Sequence, residues 1–274
     1  MHQDFPTPRR TLEMDRIAAL RDERNAVLQF CRTLTIPQWD LDSTAMGWRI
    51  RDVVAHMGGI AKELFTPRMF AVMASSSIER YNDGTVERRK HRTPDEIMDE
   101  YERWSRRLGH LLTICDKTPL GAAPFKLSEL GLFPMRLITG AVLFDTHTHL
   151  RHDIAPALGL VPPPTDANRM SAVIDWMVVA MQRSHPEAMQ WLDRPIGLTL
   201  TGPGGGTWRI ERGTQGGRLT ARPDDPGATA SHVTGLAAEF PIWGTKRADW
   251  REHTVNIDGN AEYGSRFLDN LNIV

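Results

Sequence analysis

Apolar residues recur at helical spacing through the first two thirds of the chain and alternate over short stretches after that. Leu12, Ile17, Leu20, Val27, Leu28 and Cys31 mark one face of a first helix between Thr11 and about Leu34, which Pro37 closes. A second helix is expected from about Trp48, carrying Ile50, Val53, Val54, Met57, Ile60 and Leu64. Pro67 kinks or ends it, with a helical continuation from Phe70 to Met73. Ser75 to His91 reads as a polar, charged connection. Thr93-Pro94-Asp95-Glu96 then places a capping hydroxyl, a first-turn proline and two acids where a helix N-terminus favours them, so a third helix runs to about Ile114. A fourth starts near Phe133-Pro134 and carries Leu137, Val142, Leu143 and Leu150 to Leu158, with Gly159 as its stop. After Pro162 to Pro164, Asp166 to Gln182 forms another helix on the stripe Val173, Ile174, Met177 and Val178.

Beyond about His185 the texture changes. Ile196 to Thr201 alternates as a strand, the glycine run Gly204 to Gly206 makes a turn, and Thr207 to Ile210 returns. No lysine follows that run at phosphate-loop spacing, so it is a hairpin turn. Strands near Gly217–Arg222 and Ala228–Val233, a helix from Thr234 to Trp243, a strand at His253–Ile257 and a last helix at Asn260–Leu271 complete the pattern. The fold class that follows is a mainly α N-terminal bundle, residues 1–185, and a small α+β C-terminal domain, residues 186–274.

Length and charge narrow the function. The chain has 274 residues, 41% of them apolar, and a formal net charge of −1, and no basic run marks a nucleic-acid or anionic-membrane surface. No stretch is apolar for long enough to span a bilayer, and the charged N-terminus lacks the apolar region of a secretory signal. Cys31 and Cys115, the only cysteines, show no metal-knot or disulfide spacing, which points to a reducing, cytoplasmic setting and to thiols buried for packing. Trp48, Trp176, Trp191 and Trp243 read as core or interface aromatics.

The chemistry concentrates in Asp145-Thr-His147-Thr-His149-Leu-Arg-His152-Asp153. On a helix Asp145 and His149 lie one turn apart on one face and His152 and Asp153 share that side, whereas His147 points away. A third ligand must come from another helix, and His56, amid the apolar residues of the second helix, is the best supplier. Three ligands with an open position describe a catalytic metal site, and His152 could close it as a structural one. Mixed nitrogen and oxygen ligands suit Zn²⁺ most readily, with Ni²⁺, Co²⁺, Fe²⁺ and Mn²⁺ open. The same spacing also fits an ordinary surface ion pair. Asp52 reads either as a helix-start acid or as outer support for His56.

Gly47-Trp48-Arg49-Ile50-Arg51-Asp52-Val53-Val54-Ala55-His56-Met57 resembles a signature of the mycothiol-dependent maleylpyruvate isomerase family, within the DinB/YfiT-like metalloenzymes. Phe144 to His149, leading into Asp153-Ile154 and Ala157-Leu158-Gly159, is similar to that family's second signature. Ile242-Trp243-Gly244, Val255 to Asn260 and Phe267 to Ile273 resemble its small sterol-carrier-like C-terminal domain. The resemblance implies a DinB-like four-helix bundle with one metal, usually zinc, on the positions of His56, His149 and Asp145, the last being Glu in the isomerase. It also implies a site arginine near the Trp-Gly motif, for which Lys246 and Arg247 are the candidates. One extra residue separates His149 from Asp153 relative to many members, which on an α-helix moves Asp153 about 100° round the axis.

The expected function is therefore metal-dependent activation of a low-molecular-weight thiol, mycothiol by resemblance. The thiol would serve S-transfer to a small electrophile or a maleylpyruvate-type cis–trans isomerisation. Transfer is favoured slightly, because no arginine is clearly placed to clamp a dicarboxylate. The rivals are a non-catalytic ligand-binding or regulatory bundle with a structural metal, and a metal-dependent hydrolase. Small molecules are the expected partners, with no nucleic acid or membrane, and the chain is expected to be a monomer or homodimer.

Overall fold

A computed structural model describes residues 14–183, 187–213, 218–224 and 226–273. The expected helix start at Thr11 and Leu12, the boundary at His185 and the strand start at Gly217 lie outside the described residues. The first helix, α1, spans Arg16–Cys31 and begins where the Asp15 side chain accepts from the Ala18 amide. Pro37 opens a short turn of helix instead of closing α1: α2 covers Ile36–Trp39, and a proline in a first turn sacrifices no intrahelical hydrogen bond. Helix α3, Ile50–Glu63, and the short α4, Met69–Ala74, flank Pro67 as expected.

The polar connection is corrected by a helix, α5, over Ile78–Glu87. Ser77 caps it by accepting from the Arg80 amide, and Tyr81, Thr85 and Val86 turn one face inward, a stripe hidden in sequence by charged neighbours. Helix α6, Pro94–Lys117, starts with the expected capping box. A hairpin, absent from the sequence reading, follows: β1, Pro124–Leu127, pairs antiparallel with β2, Gly131–Pro134. Helix α7, Met135–Thr148, runs without a break into a π-helical turn, His149–Ile154, and the segment stops at Gly159 in the left-handed conformation. Asp166 caps α8, Ala167–Met181.

Beyond α8 lie strands β3, Ile196–Thr201, β4, Gly206–Arg212, β5, Leu219–Pro223, β6, Ser231–Leu236, and β7, Val255–Gly259. They form one mixed sheet in the order β5-β4-β3-β6-β7, in which only β3 and β6 run parallel. The β3–β4 turn carries Gly204 at φ +80°, where a Cβ would meet α8 backbone at 2.6 Å, so conformation and space both require glycine. The helix expected over Thr234–Trp243 is shorter. Thr234 to Leu236 complete β6, held in the ladder by pairing with β3 on one side and β7 on the other, and only α9, Phe240–Trp243, is α-helical, with Pro241 in its first turn. Helix α10, Ala261–Asn270, capped by Asn260, packs on β6 and β7.

One apolar cluster runs from α7 and α8 into the sheet, joining Phe133, Ile174 and Met177 to Leu198, Val233 and Phe267. A second holds Val27, Trp39, Val53, Val54, Tyr101, Leu150 and Ile154. The chain passes from one cluster to the other between Met57 and Ala61 on α3 and between Leu143 and Leu150 on α7.

The π turn is pinned by charge. Arg151, within it, pairs with the fully buried Glu23 of α1, and Arg169 of α8 lies 3.4 Å from the other Glu23 oxygen. Both arginines also donate to the Pro164 carbonyl. Removing one member of a buried charge group strands the rest, so Glu23→Gln is expected to destabilise the fold by about 3 kcal/mol in urea unfolding. A loss under about 1 kcal/mol would show that the group contributes little beyond a surface pair.

Candidate metal centre

Helix α3 delivers His56 from its middle, where only 2% of the residue is exposed, and α7 delivers Asp145 one turn before His149 at the start of the π turn. Ligand-capable atoms of His56, Asp145 and His149 all lie within 4.8 Å of one another. Asp145 Oδ1 is 3.2 Å from His56 Nε2 and 3.4 Å from His149 Nε2, and the two imidazole rings meet edge-on at 5.2 Å. Trp48, expected as a plain packing aromatic, lies against both rings, 5.0 Å from His56 and 6.1 Å from His149. Its indole N–H donates to Asp83.

Outside the three sits a further pair. His149 Nδ1 is 2.7 Å from Asp153 Oδ2, and Arg247 binds the same carboxylate with two N–H groups, Nε to Oδ1 and Nη2 to Oδ2, both at 3.0 Å. Asp153 lies one turn after His149, on the side expected of it. The segment winds here as a π turn, with the Ala155 amide on the Leu150 carbonyl, and the four-residue spacing sets Asp153 beside His149. Arg247 is therefore a partner of Asp153, a role the sequence reading did not assign. Its Nη1 donates to Thr245 Oγ1, so all three of its nitrogens are engaged. Lys246 lines the same cavity, in a left-handed backbone conformation, with its ammonium on the Asp269 carbonyl.

Asp52 takes the helix-start role: its carboxylate accepts from the Arg49 amide and side chain. His147 is buried and faces Thr165 at 3.2 Å, away from the cluster, and His152 packs beside it at 6.2 Å. Cys31 and Cys115 are both buried, and burial pushes the Cys31 thiol up to about 12, which leaves it protonated at neutral pH.

Electrostatics at the cluster follow from these contacts. Burial raises the Asp145 carboxyl, but the two histidines beside it outweigh that and hold it well below the usual carboxylate range. Burial lowers His149, yet Asp145 and Asp153 on either side raise it to about 9. The donor set fits a cation. With Nδ1–H given to Asp153, the contact between His149 Nε2 and Asp145 calls for a doubly protonated imidazole, and a divalent ion would take the place of that proton among the same lone pairs. Two imidazoles and one carboxylate match catalytic zinc ligation.

The cluster opens onto a cavity of about 380 Å³, with Ile60, Leu64, Val72 and Phe125 among its apolar walls. Glu63 and Tyr81, joined by a 2.6 Å hydrogen bond, also line it and were not singled out from sequence. Glu63 lies two helical turns beyond His56 on α3, a spacing that could have flagged it.

A helical bundle that gathers two histidines and an aspartate under a tryptophan, with a mixed sheet behind it, defines a class of metal-site scaffold. Residues 20–113 match the family model described as the mycothiol maleylpyruvate isomerase N-terminal domain. The matched segment includes His56 and ends before Asp145 and His149. The fold is similar to the crystal structure of the mycothiol-dependent maleylpyruvate isomerase, with a TM-score of 0.56 and 15% identity over 89% of this chain and 91% of that one. A histidine-to-alanine mutant of that isomerase matches equally, with a TM-score of 0.56 and 15% identity over the same shares. No curated protein matches the sequence. Among the described residues no helix is long and apolar enough to cross a membrane.

His147 and His152 are shifted oppositely to His149. Burial depresses His147 well below its ordinary value and lowers His152 to about 4. Between pH 6.5 and 4 the unfolded chain therefore binds protons there that the native chain does not. Their contribution to stability is complete above pH 6.5 and falls as pH drops, by up to about 1.4 kcal/mol per pH unit for each histidine. Urea titrations across that range are expected to show this slope, reduced by about one proton in His152→Gln; an unchanged slope would refute it.

Proposed function

We propose that this chain is a metal-dependent thiol enzyme in which His56, Asp145 and His149 hold one divalent ion, zinc being the best match to the donor set. The observation that carries the reading is the convergence of those three ligand atoms within 4.8 Å at the wall of a largely apolar cavity. A cation bound there supplies Lewis acidity, lowering the pKa of a small thiol so that thiolate is present at neutral pH. The chain's own residues do the rest. Asp153 accepts the Nδ1 proton of His149, which fixes the tautomer and leaves the Nε2 lone pair facing Asp145 and His56. Arg247 keeps Asp153 ionised and oriented. Trp48 covers the two imidazoles, and the apolar walls exclude water from a nucleophile and electrophile brought together there.

Mycothiol is the thiol that the N-terminal domain match favours. Between the two reactions, transfer of the thiol to an electrophile is better supported than isomerisation of a dicarboxylate. The arginine nearest the site is spent on Asp153, and Lys246, the other cation lining the cavity among the described residues, keeps its ammonium on the Asp269 backbone carbonyl, so neither is placed as a two-pronged clamp for a second carboxylate. Arg247 is thus a positioning residue, and Lys246 has no assigned part in the chemistry.

Metal analysis of untagged protein is expected to give about one divalent ion per chain, lost in His56→Ala and His149→Ala. Mycothiol-dependent conjugation of monochlorobimane is expected to disappear with it and on chelation. Retention of full conjugation by metal-free protein would overturn the reading. Asp153→Asn is expected to weaken metal binding about 10- to 100-fold while leaving the ion's stoichiometry at saturation unchanged. Arg247→Gln is expected to act in the same direction, and competition with a chromogenic chelator measures both.

A further inference from the structure

A second cavity, of about 270 Å³, lies inside the bundle between α1, α3, α6 and α7. Met57, Ala61, Leu108, Val142 and Thr146 wall both cavities, and Met57 and Thr146 directly follow His56 and Asp145 in the chain. From α1 the lining takes the apolar Ile17 and Leu20 beside Arg21 and Arg24. No carboxylate lines it, whereas Arg21, Arg24 and Arg106 do.

Two of those arginines are not neutralised. Arg24 donates to Ser105 Oγ, the Glu102 carbonyl and Asn25 Oδ1, all uncharged acceptors. Arg106 is exposed and has no carboxylate partner among the described residues. Arg21 is partly offset by its neighbour Asp22 at 3.2 Å.

The space is kept open by an independent feature. Gly109 lies within α6, where glycine weakens a helix, and its conformation is one any residue adopts. A Cβ built on it meets nothing within 4 Å, so no close packing requires glycine there, and a larger side chain would enter the cavity it lines. An apolar chamber with uncompensated guanidinium groups and a glycine facing empty volume has the chemistry of a site for a ligand with an apolar tail and an anionic head.

We propose that this cavity binds an anionic amphiphile, a medium-length alkyl carboxylate in chemical class, with its carboxylate on Arg24 and Arg106 and its tail toward Met57 and Thr146. The site does not depend on the metal reading, and its test uses no turnover. Calorimetric titration of the full chain with sodium octanoate is expected to show saturable binding at one site. Neutral 1-octanol, of the same chain length, is expected to bind at least tenfold more weakly, and the double variant Arg24→Gln, Arg106→Gln to bring octanoate down to that level. Gly109→Leu is expected to abolish octanoate binding while raising the thermal midpoint. Should that variant fail to fold, nuclear Overhauser contacts from the octanoate chain to the Leu20 methyl groups of the wild type serve instead, because Leu20 lines this cavity and not the metal-centre cavity. Equal binding of octanoate and octanol, full octanoate binding by folded Gly109→Leu, contacts confined to the other cavity, or no octanoate binding at millimolar concentration would each overturn the proposal.

Discussion

The carboxylate of Asp153 is the point on which the centre depends. It is fully buried, it receives His149 on one side and the two-pronged Arg247 on the other, and it thereby ties the helical part of the chain to the part that holds the sheet. A buried carboxylate without partners would protonate or disrupt its surroundings. With a histidine and an arginine on it, the Asp153 carboxyl stays well below the usual carboxylate range, against the burial that would raise it. The direction of the His149 ring follows, and with it the geometry of the three groups around Asp145.

That arrangement is carried by the π turn. Residues 149–154 wind as a π turn in which His149 and Asp153, four residues apart, stay on one side, and the local cost of the wider turn is offset by its anchors. Arg151 reaches back to Glu23, Leu150 and Ile154 enter the second apolar cluster, and the Thr44 amide and hydroxyl hold the Asp153 carbonyl and side chain respectively. The polar centre lies where two apolar clusters meet, so its groups reach a cavity without breaking either core.

Much of this was legible in the residues. Capping at Thr93 and Asp166, the stop at Gly159 and the alternation of β3 and β4 are local signals, and local signals survive folding. The i, i+4 phase of Asp145 and His149 was equally local, and the apolar setting of His56 pointed to it as their companion. What could not be read was non-local. Helix α5 is amphipathic only in view of the core it covers, and the β1–β2 hairpin has four-residue strands too short for a pattern. The partner of Arg247 lies 94 positions away. The four-residue step from His149 to Asp153 was legible too, whereas nothing in Leu150-Arg151-His152 announces the π turn.

Charge balance links the centre to the chemistry proposed for it. Asp145 and Asp153 bring two negative charges, Arg247 returns one positive, and a protonated His149 makes the metal-free centre neutral, consistent with its imidazole being raised to about 9. A divalent ion that displaces that proton leaves one positive charge uncompensated in a cavity whose walls are mainly apolar. In such surroundings a charge of the opposite sign is attracted far more strongly than in water. A neutral thiol gains that attraction only by releasing its proton, so the low polarity of the cavity itself favours the thiolate. The same balance explains why Arg247 is better spent on Asp153 than on substrate. Without it the two carboxylates would cancel the ion's charge, and the centre would lose its preference for an anionic sulfur.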